Sequence, residues 1–150
     1  MQRLTRLIGL AMISVLATAA GSSAQSPPMF DMKGTWKGTG DAIIDGLTAY
    51  HPPGAAGTKP SGNYRLRAVT YTYKIDGQDG KRFWGTVSSD AVANERLIGS
   101  LSNDGRWIYM VGKDGFLDGQ IVDPDTIQMC YRQVNTASAI VGCNEMKRVK

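Results

Sequence analysis

Taken in twos, much of the chain alternates between apolar and polar positions. From Gly34 to Ile44, Trp36, Gly38, Gly40, Ala42 and Ile44 fall on one side, and Thr35, Lys37, Thr39 and Asp41 on the other. That is the period of a strand with one wet face. A second strand is expected over Tyr64–Ile75, where Val69, Tyr71, Tyr73 and Ile75 share a face and β-branched and aromatic residues are dense. Asp76-Gly77-Gln78-Asp79-Gly80 reads as a tight turn. A third strand follows at Lys81–Ser88, where Phe83 and Trp84, being adjacent, must point to opposite faces. A fourth is expected at Glu95–Ser102, with Leu97, Gly99 and Leu101 opposed to Ile98 and Ser100, and Asn103-Asp104-Gly105 is a hairpin signal.

The fifth strand, Arg106–Val111, is apolar on both faces: Trp107, Tyr109 and Val111 on one, Ile108 and Met110 on the other. Such a strand is either covered on both sides or exposed at an interface. Gly112-Lys113-Asp114-Gly115 turns into a sixth strand at Phe116–Val122, and Asp123-Pro124-Asp125 turns into a seventh at Thr126–Val134. The eighth, Ser138–Arg148, returns through a turn centred on Thr136-Ala137. Counting outward from that centre sets Cys130 opposite Cys143, Gln128 opposite Glu145 and Ile127 opposite Met146. Directly opposed residues have Cβ atoms roughly 4.5–5.5 Å apart, close to what a disulfide needs. The cysteines would share the outward, polar face, and Ile127, Met129, Tyr131, Ile140 and Met146 would point inward.

These signals predict an all-β fold of eight antiparallel strands joined mainly by short turns, with no significant helix after residue 24. Sequential hairpins favour an up-and-down barrel, which closes at this strand number around a filled interior or one small ligand. The inward face of the first strand is unusual in carrying one large ring and then small residues. Two readings stand open: sharp coiling of the barrel, or room left for a ligand.

The ends and loops divide the chain further. Arg3 and Arg6, the apolar run Leu7–Ala19 and the small residues after it have the order of a secretory signal peptide, expected to end near Ala24. The run is too short for a stable membrane span, which needs about 20 apolar residues. Residues 25–33 read as a linker, and 34–148 as a single barrel domain. Removing residues 1–24 takes away two of the 17 basic residues and none of the 13 acids, so the charge falls from +4 to +2. The remaining Lys and Arg are scattered, which argues against nucleic-acid binding and against a polybasic membrane patch. An even cysteine count in an exported chain fits the Cys130–Cys143 bridge and a periplasmic or secreted location.

Residues 45–63 hold Gly46, Pro52-Pro53-Gly54, Gly57, Pro60 and Gly62, which exclude helix or central strand. A loop of that length is often a lid, and Tyr50 and His51 are its candidate capping residues. His51 is the only histidine. With no Ser/His/Asp or Cys/His arrangement and no zinc-type ligand set, the residues point to a protein that is not an enzyme and needs no metal or cofactor.

Gly34-Thr35-Trp36 at the head of the first strand resembles the Gly-x-Trp of the calycins, the lipocalin and avidin-type barrels. In that group a basic residue near the chain end lies over the Trp ring, and Arg148 is the matching residue here. The short meander loops are more similar to the avidin type, although no biotin-site pattern is matched. The resemblance implies closure of one barrel end by Trp36 and Arg148, a cation over an indole contributing roughly 0.5–2 kcal/mol. It also implies binding of a small, largely apolar molecule inside, with Trp36, Tyr71, Tyr73, Trp107, Tyr109 and Tyr131 as candidate lining. The alternative is a protein-interaction module, such as a periplasmic inhibitor or envelope factor, using the fifth strand and the long loop.

Overall fold

The computed structural model describes residues 28–46, 64–89, 92–113, 115–134 and 138–150. The signal-peptide stretch, the candidate lid residues Tyr50 and His51, and the Thr136-Ala137 turn lie outside these described residues.

The eight expected strands form: β1 (Gly34–Gly46), β2 (Arg65–Asp79), β3 (Arg82–Ser89), β4 (Glu95–Leu101), β5 (Trp107–Val111), β6 (Phe116–Asp123), β7 (Thr126–Val134) and β8 (Ser138–Arg148). They make one closed antiparallel barrel in sequence order, with β8 returning to pair with β1. Each strand buries the alternate residues that its pattern marks as apolar. Closure leaves no open sheet edge. Register partners can be followed around the wall from Leu66 on β2 through Ile43, Val141, Arg132, Phe116, Val111, Ile98 and Trp84. The path meets β2 again at Gly77, eleven residues beyond its start, one of them a bulge. A stagger of that kind accompanies strands tilted by roughly 35–45° to the barrel axis.

The second strand differs from its expected end. Asp76-Gly77 is not the turn; β2 runs on to Asp79 through a bulge between Ile75 and Gly77. A Cβ at Gly77 would fall 2.3 Å from the Trp84 ring, so the glycine is needed there to seat the indole. The chain turns instead at Gly80, whose φ of +56° suits a residue without a side chain.

The small face of β1 is resolved in favour of coiling. A Cβ at Gly38 would lie 2.1 Å from the Glu145 carbonyl oxygen, and one at Gly40 would lie 2.2 Å from that of Cys143. The backbone of β8 therefore comes too close to β1 for any side chain, and Met146 and Asn144 fill the space that remains.

Candidate functional site

The barrel has two unlike ends. At the first, β1 begins, β8 ends, and the β2–β3, β4–β5 and β6–β7 turns gather. Trp36 is fully buried there, and the Arg148 guanidinium lies 4.1 Å from its ring centroid. The two residues are ladder partners on β1 and β8, so barrel closure itself brings them together. Arg148 also donates from Nη1 to the Lys33 carbonyl at 2.5 Å and from Nη2 to that of Asp31 at 2.7 Å. It pairs with Asp125 at 3.3 Å as well.

These carbonyls belong to a stretch that the sequence marks only as a linker. Its described part, residues 28–33, lies across the barrel end. Met32 is buried, Phe30 packs against the core, and the Trp36 indole donates to the Met32 carbonyl at 2.9 Å. Gln78, placed by the extension of β2, holds the strap from the other side. Its Oε1 accepts from the Met32 N–H at 2.7 Å, and its Nε2 donates to the Phe30 carbonyl at 2.9 Å. No sequence signal marked Gln78, because the bulge that carries β2 past Ile75 is not a local pattern. Two turn carboxyls nearby are held below their ordinary value. The Ser102 hydroxyl and then the Arg106 N–H act on Asp104; the Asp125 N–H and then the Thr126 hydroxyl act on Asp123.

Beyond this seal the barrel centre is filled. Tyr73, Phe83, Leu97, Ile108, Ile127, Met129 and Met146 are all buried. A Cβ at Gly99 would strike the Phe83 ring and one at Gly119 the Met129 sulfur. So Trp36 and Tyr73, two of the expected lining residues, are core.

The second end carries the β1–β2, β3–β4, β5–β6 and β7–β8 connections. Here the inward series turns polar. On β7, the buried residues Ile127, Met129 and Tyr131 are followed by Gln133, only 4% exposed. On β8, Asn144 and Ser138 occupy the inward alternation with Met146 and Ile140. Tyr71 faces inward from β2 and packs against the core at its margin. The Tyr131 hydroxyl donates to Gln133 Oε1 at 2.7 Å, within the buried region. Among the described residues, Gln133 Nε2 and Asn144 Nδ2 are buried with no hydrogen-bond partner. Glu95 serves the rim, its Oε1 accepting from the Lys113 N–H at 2.8 Å. The sequence held the signal for Gln133 and Asn144: each is a polar residue in an inward series, two positions from an apolar one.

Trp107 and Tyr109 depart from the expected lining. They are 45% and 49% exposed on the outer wall, because β5 turns Ile108 and Met110 inward instead. Period-two alternation assigned the two faces correctly but could not choose between two apolar faces; packing against Leu101 and Leu117 across the ladder decided it. Trp84 likewise points out and Phe83 in. The outer wall thus carries an apolar row, Trp84, Ile98, Val111 and Phe116, on four successive strands. With Tyr109 it borders an open hollow over β3–β6.

A disulfide joins Cys130 to Cys143, which pair directly across β7 and β8 on the outer face. Among the described residues, no group of three His, Cys, Asp or Glu side chains is arranged to hold a metal ion. Nor is any helix among them long and apolar enough to cross a membrane.

No known family model matches the chain. No curated protein matches it in sequence either. Among solved structures it is similar to the S-type phycobiliprotein lyase CPES from Guillardia theta, at 9% identity and a TM-score of 0.32. That likeness covers 79% of this chain and 89% of the lyase chain. The closed eight-stranded barrel rests on the strand register described above.

Proposed function

We propose that this chain is an exported, calycin-like barrel that binds a small, largely apolar molecule at its loop-bearing end, by recognition rather than catalysis. One observation carries the reading: Gln133, 4% exposed on the inward face of β7 near its loop-bearing end, has an Nε2 with no hydrogen-bond partner among the described residues. Buried donors are ordinarily satisfied, and an unsatisfied one inside a barrel suits a site awaiting a partner. Tyr131, whose hydroxyl is bonded to Gln133, supplies apolar bulk beside it. The filled centre narrows the reading from the whole barrel to its upper part. The disulfide is compatible with an oxidising, exported location.

The test is two-dimensional NMR of the mature protein with a panel of small apolar compounds. Shifts gathered around Tyr71, Tyr131 and Gln133 are the expected result. Spectra that never move at those residues would refute it.

A second reading, a protein-interaction module, is favoured by the exposed row Trp84, Ile98, Val111 and Phe116. Large exposed apolar patches mark interaction sites. On that reading the barrel is a scaffold, and sedimentation is expected to show an association that Trp84→Ser with Phe116→Ser abolishes while leaving the melting temperature in place.

A further inference from the structure

The polar groups at the loop-bearing end also specify what kind of molecule fits there. Resting on the ligand-binding reading above, we infer that the ligand presents a neutral carbonyl oxygen, which takes the free N–H of Gln133.

Gln133 is buried, yet its amide is only half used. Its oxygen accepts from Tyr131 at 2.7 Å, which leaves the Nε2 hydrogens to find an acceptor. None of the described residues provides one. A buried donor without an acceptor bears the full desolvation of that group, which an acceptor brought to Gln133 would offset. The hydrogen bond from Tyr131 polarises the amide and strengthens it as a donor. Asn144 Nδ2 is also unpartnered, but it pairs at the level of Met129 in the filled centre and is not part of this site. The free group at Gln133 is a donor, and the complementary ligand is an acceptor.

Charge narrows the class. The buried polar residues among those described are Thr126, Gln133 and Ser138, none of them charged. A carboxylate drawn down to Gln133 would be a buried charge without a buried counter-ion, which is costly. A ketone, ester or amide carbonyl accepts the same hydrogen bond without that penalty.

The experiment compares matched probes on the mature protein by NMR titration: acetophenone, its oxygen-free counterpart ethylbenzene, and benzoate. Acetophenone is expected to bind about tenfold more tightly than ethylbenzene, the factor that one net hydrogen bond of roughly 1.4 kcal/mol supplies. It is also expected to shift the Gln133 side-chain amide signal, with benzoate weaker than acetophenone. Gln133→Met should bring the acetophenone-to-ethylbenzene ratio to about one. Gln133→Leu serves as the second variant should Gln133→Met not fold, and reads the same ratio at the same donor; a ratio unchanged in whichever variant folds overturns the inference. Equal binding of acetophenone and ethylbenzene at this end would overturn the carbonyl inference and leave the ligand-binding reading intact. Tighter binding of benzoate would replace a neutral carbonyl by an anion. No response at this end to any of the three would remove the ligand-binding reading, and the inference with it.

Discussion

The two ends of the barrel are built from the same eight strands but solve opposite problems. At the sealed end the buried polar side chains named above are bonded. The Trp36 indole donates to Met32, Gln78 holds the strap through both its oxygen and its nitrogen, and Arg148 serves the indole and several carbonyls at once. Toward the loop-bearing end the Gln133 amide is buried with a donor left over. A barrel selected for stability alone would fill that end with aliphatic side chains, because a half-satisfied polar group is worse than none. Local rules fail at one end and hold at the other, and such failures are expected at functional sites.

The contrast can be broken or sharpened by mutation. The largest effect is expected at the sealed end, where Trp36→Ala removes a fully buried ring. A loss of about 3–5 kcal/mol in urea unfolding is expected, and a loss below 1 kcal/mol would show that the indole is not a keystone. Next is the disulfide, which ties β7, bearing Tyr131 and Gln133, to β8, bearing Asn144 and Arg148. Replacing both cysteines by alanine is expected to cost roughly 3 kcal/mol, checked as a lower melting temperature under non-reducing conditions.

Arg148→Lys keeps the charge but loses the planar fork that reaches Lys33 and Asp31 together. The expected loss is about 1–2 kcal/mol, with faster proteolysis within residues 28–33. Asn144→Leu replaces an amide whose Nδ2 has no partner and should stay within about 1 kcal/mol of the parent, or exceed it, whereas Gln133→Met also removes the acceptor of the Tyr131 hydroxyl and should cost about 1–2 kcal/mol. A cost above 2 kcal/mol would mean that these amides are structural. The smallest effect is acid lability in the sealed-end turns. Asp104 and Asp123 are held below the ordinary carboxylate value in the folded state, chiefly by the Ser102 hydroxyl and the Asp125 N–H respectively. Their contribution is thus complete above the ordinary carboxylate range and is lost as the pH falls through their lower folded values. Asp104→Asn is expected to flatten a slight drop in the urea midpoint on acidification.

The barrel was largely legible from the residues. Alternation located all eight strands, and counting from the β7–β8 turn placed Cys130 opposite Cys143, as the register has it. Trp36 and Arg148, named from the calycin resemblance, stack across the closure. What was illegible depended on long-range packing. The bulge at Asp76 and the seat it makes for Trp84 turn a Gly-rich stretch from turn into strand. The strap at residues 28–33 has no period of its own; its position is fixed by Gln78 and Arg148, which are 48 residues from Phe30 and 117 from Asp31. The choice of inward face on β5 needed its neighbours. The site was readable only in part: aromatic content drew attention to Trp107 and Tyr109, whereas the informative residues were the polar interruptions at Gln133 and Asn144.

Hydrogen exchange of the three indole N–H groups tests the sealed end most directly and needs no ligand. Trp84 and Trp107 are 48% and 45% exposed, whereas Trp36 is fully buried and bonded to Met32 beneath Arg148. The expected result is two indole signals lost within minutes in deuterated buffer and one that persists until global unfolding, with Arg148→Lys shortening its lifetime. Three indoles exchanging together would contradict a closed end, and with it the division of the barrel into a sealed pole and a receiving one.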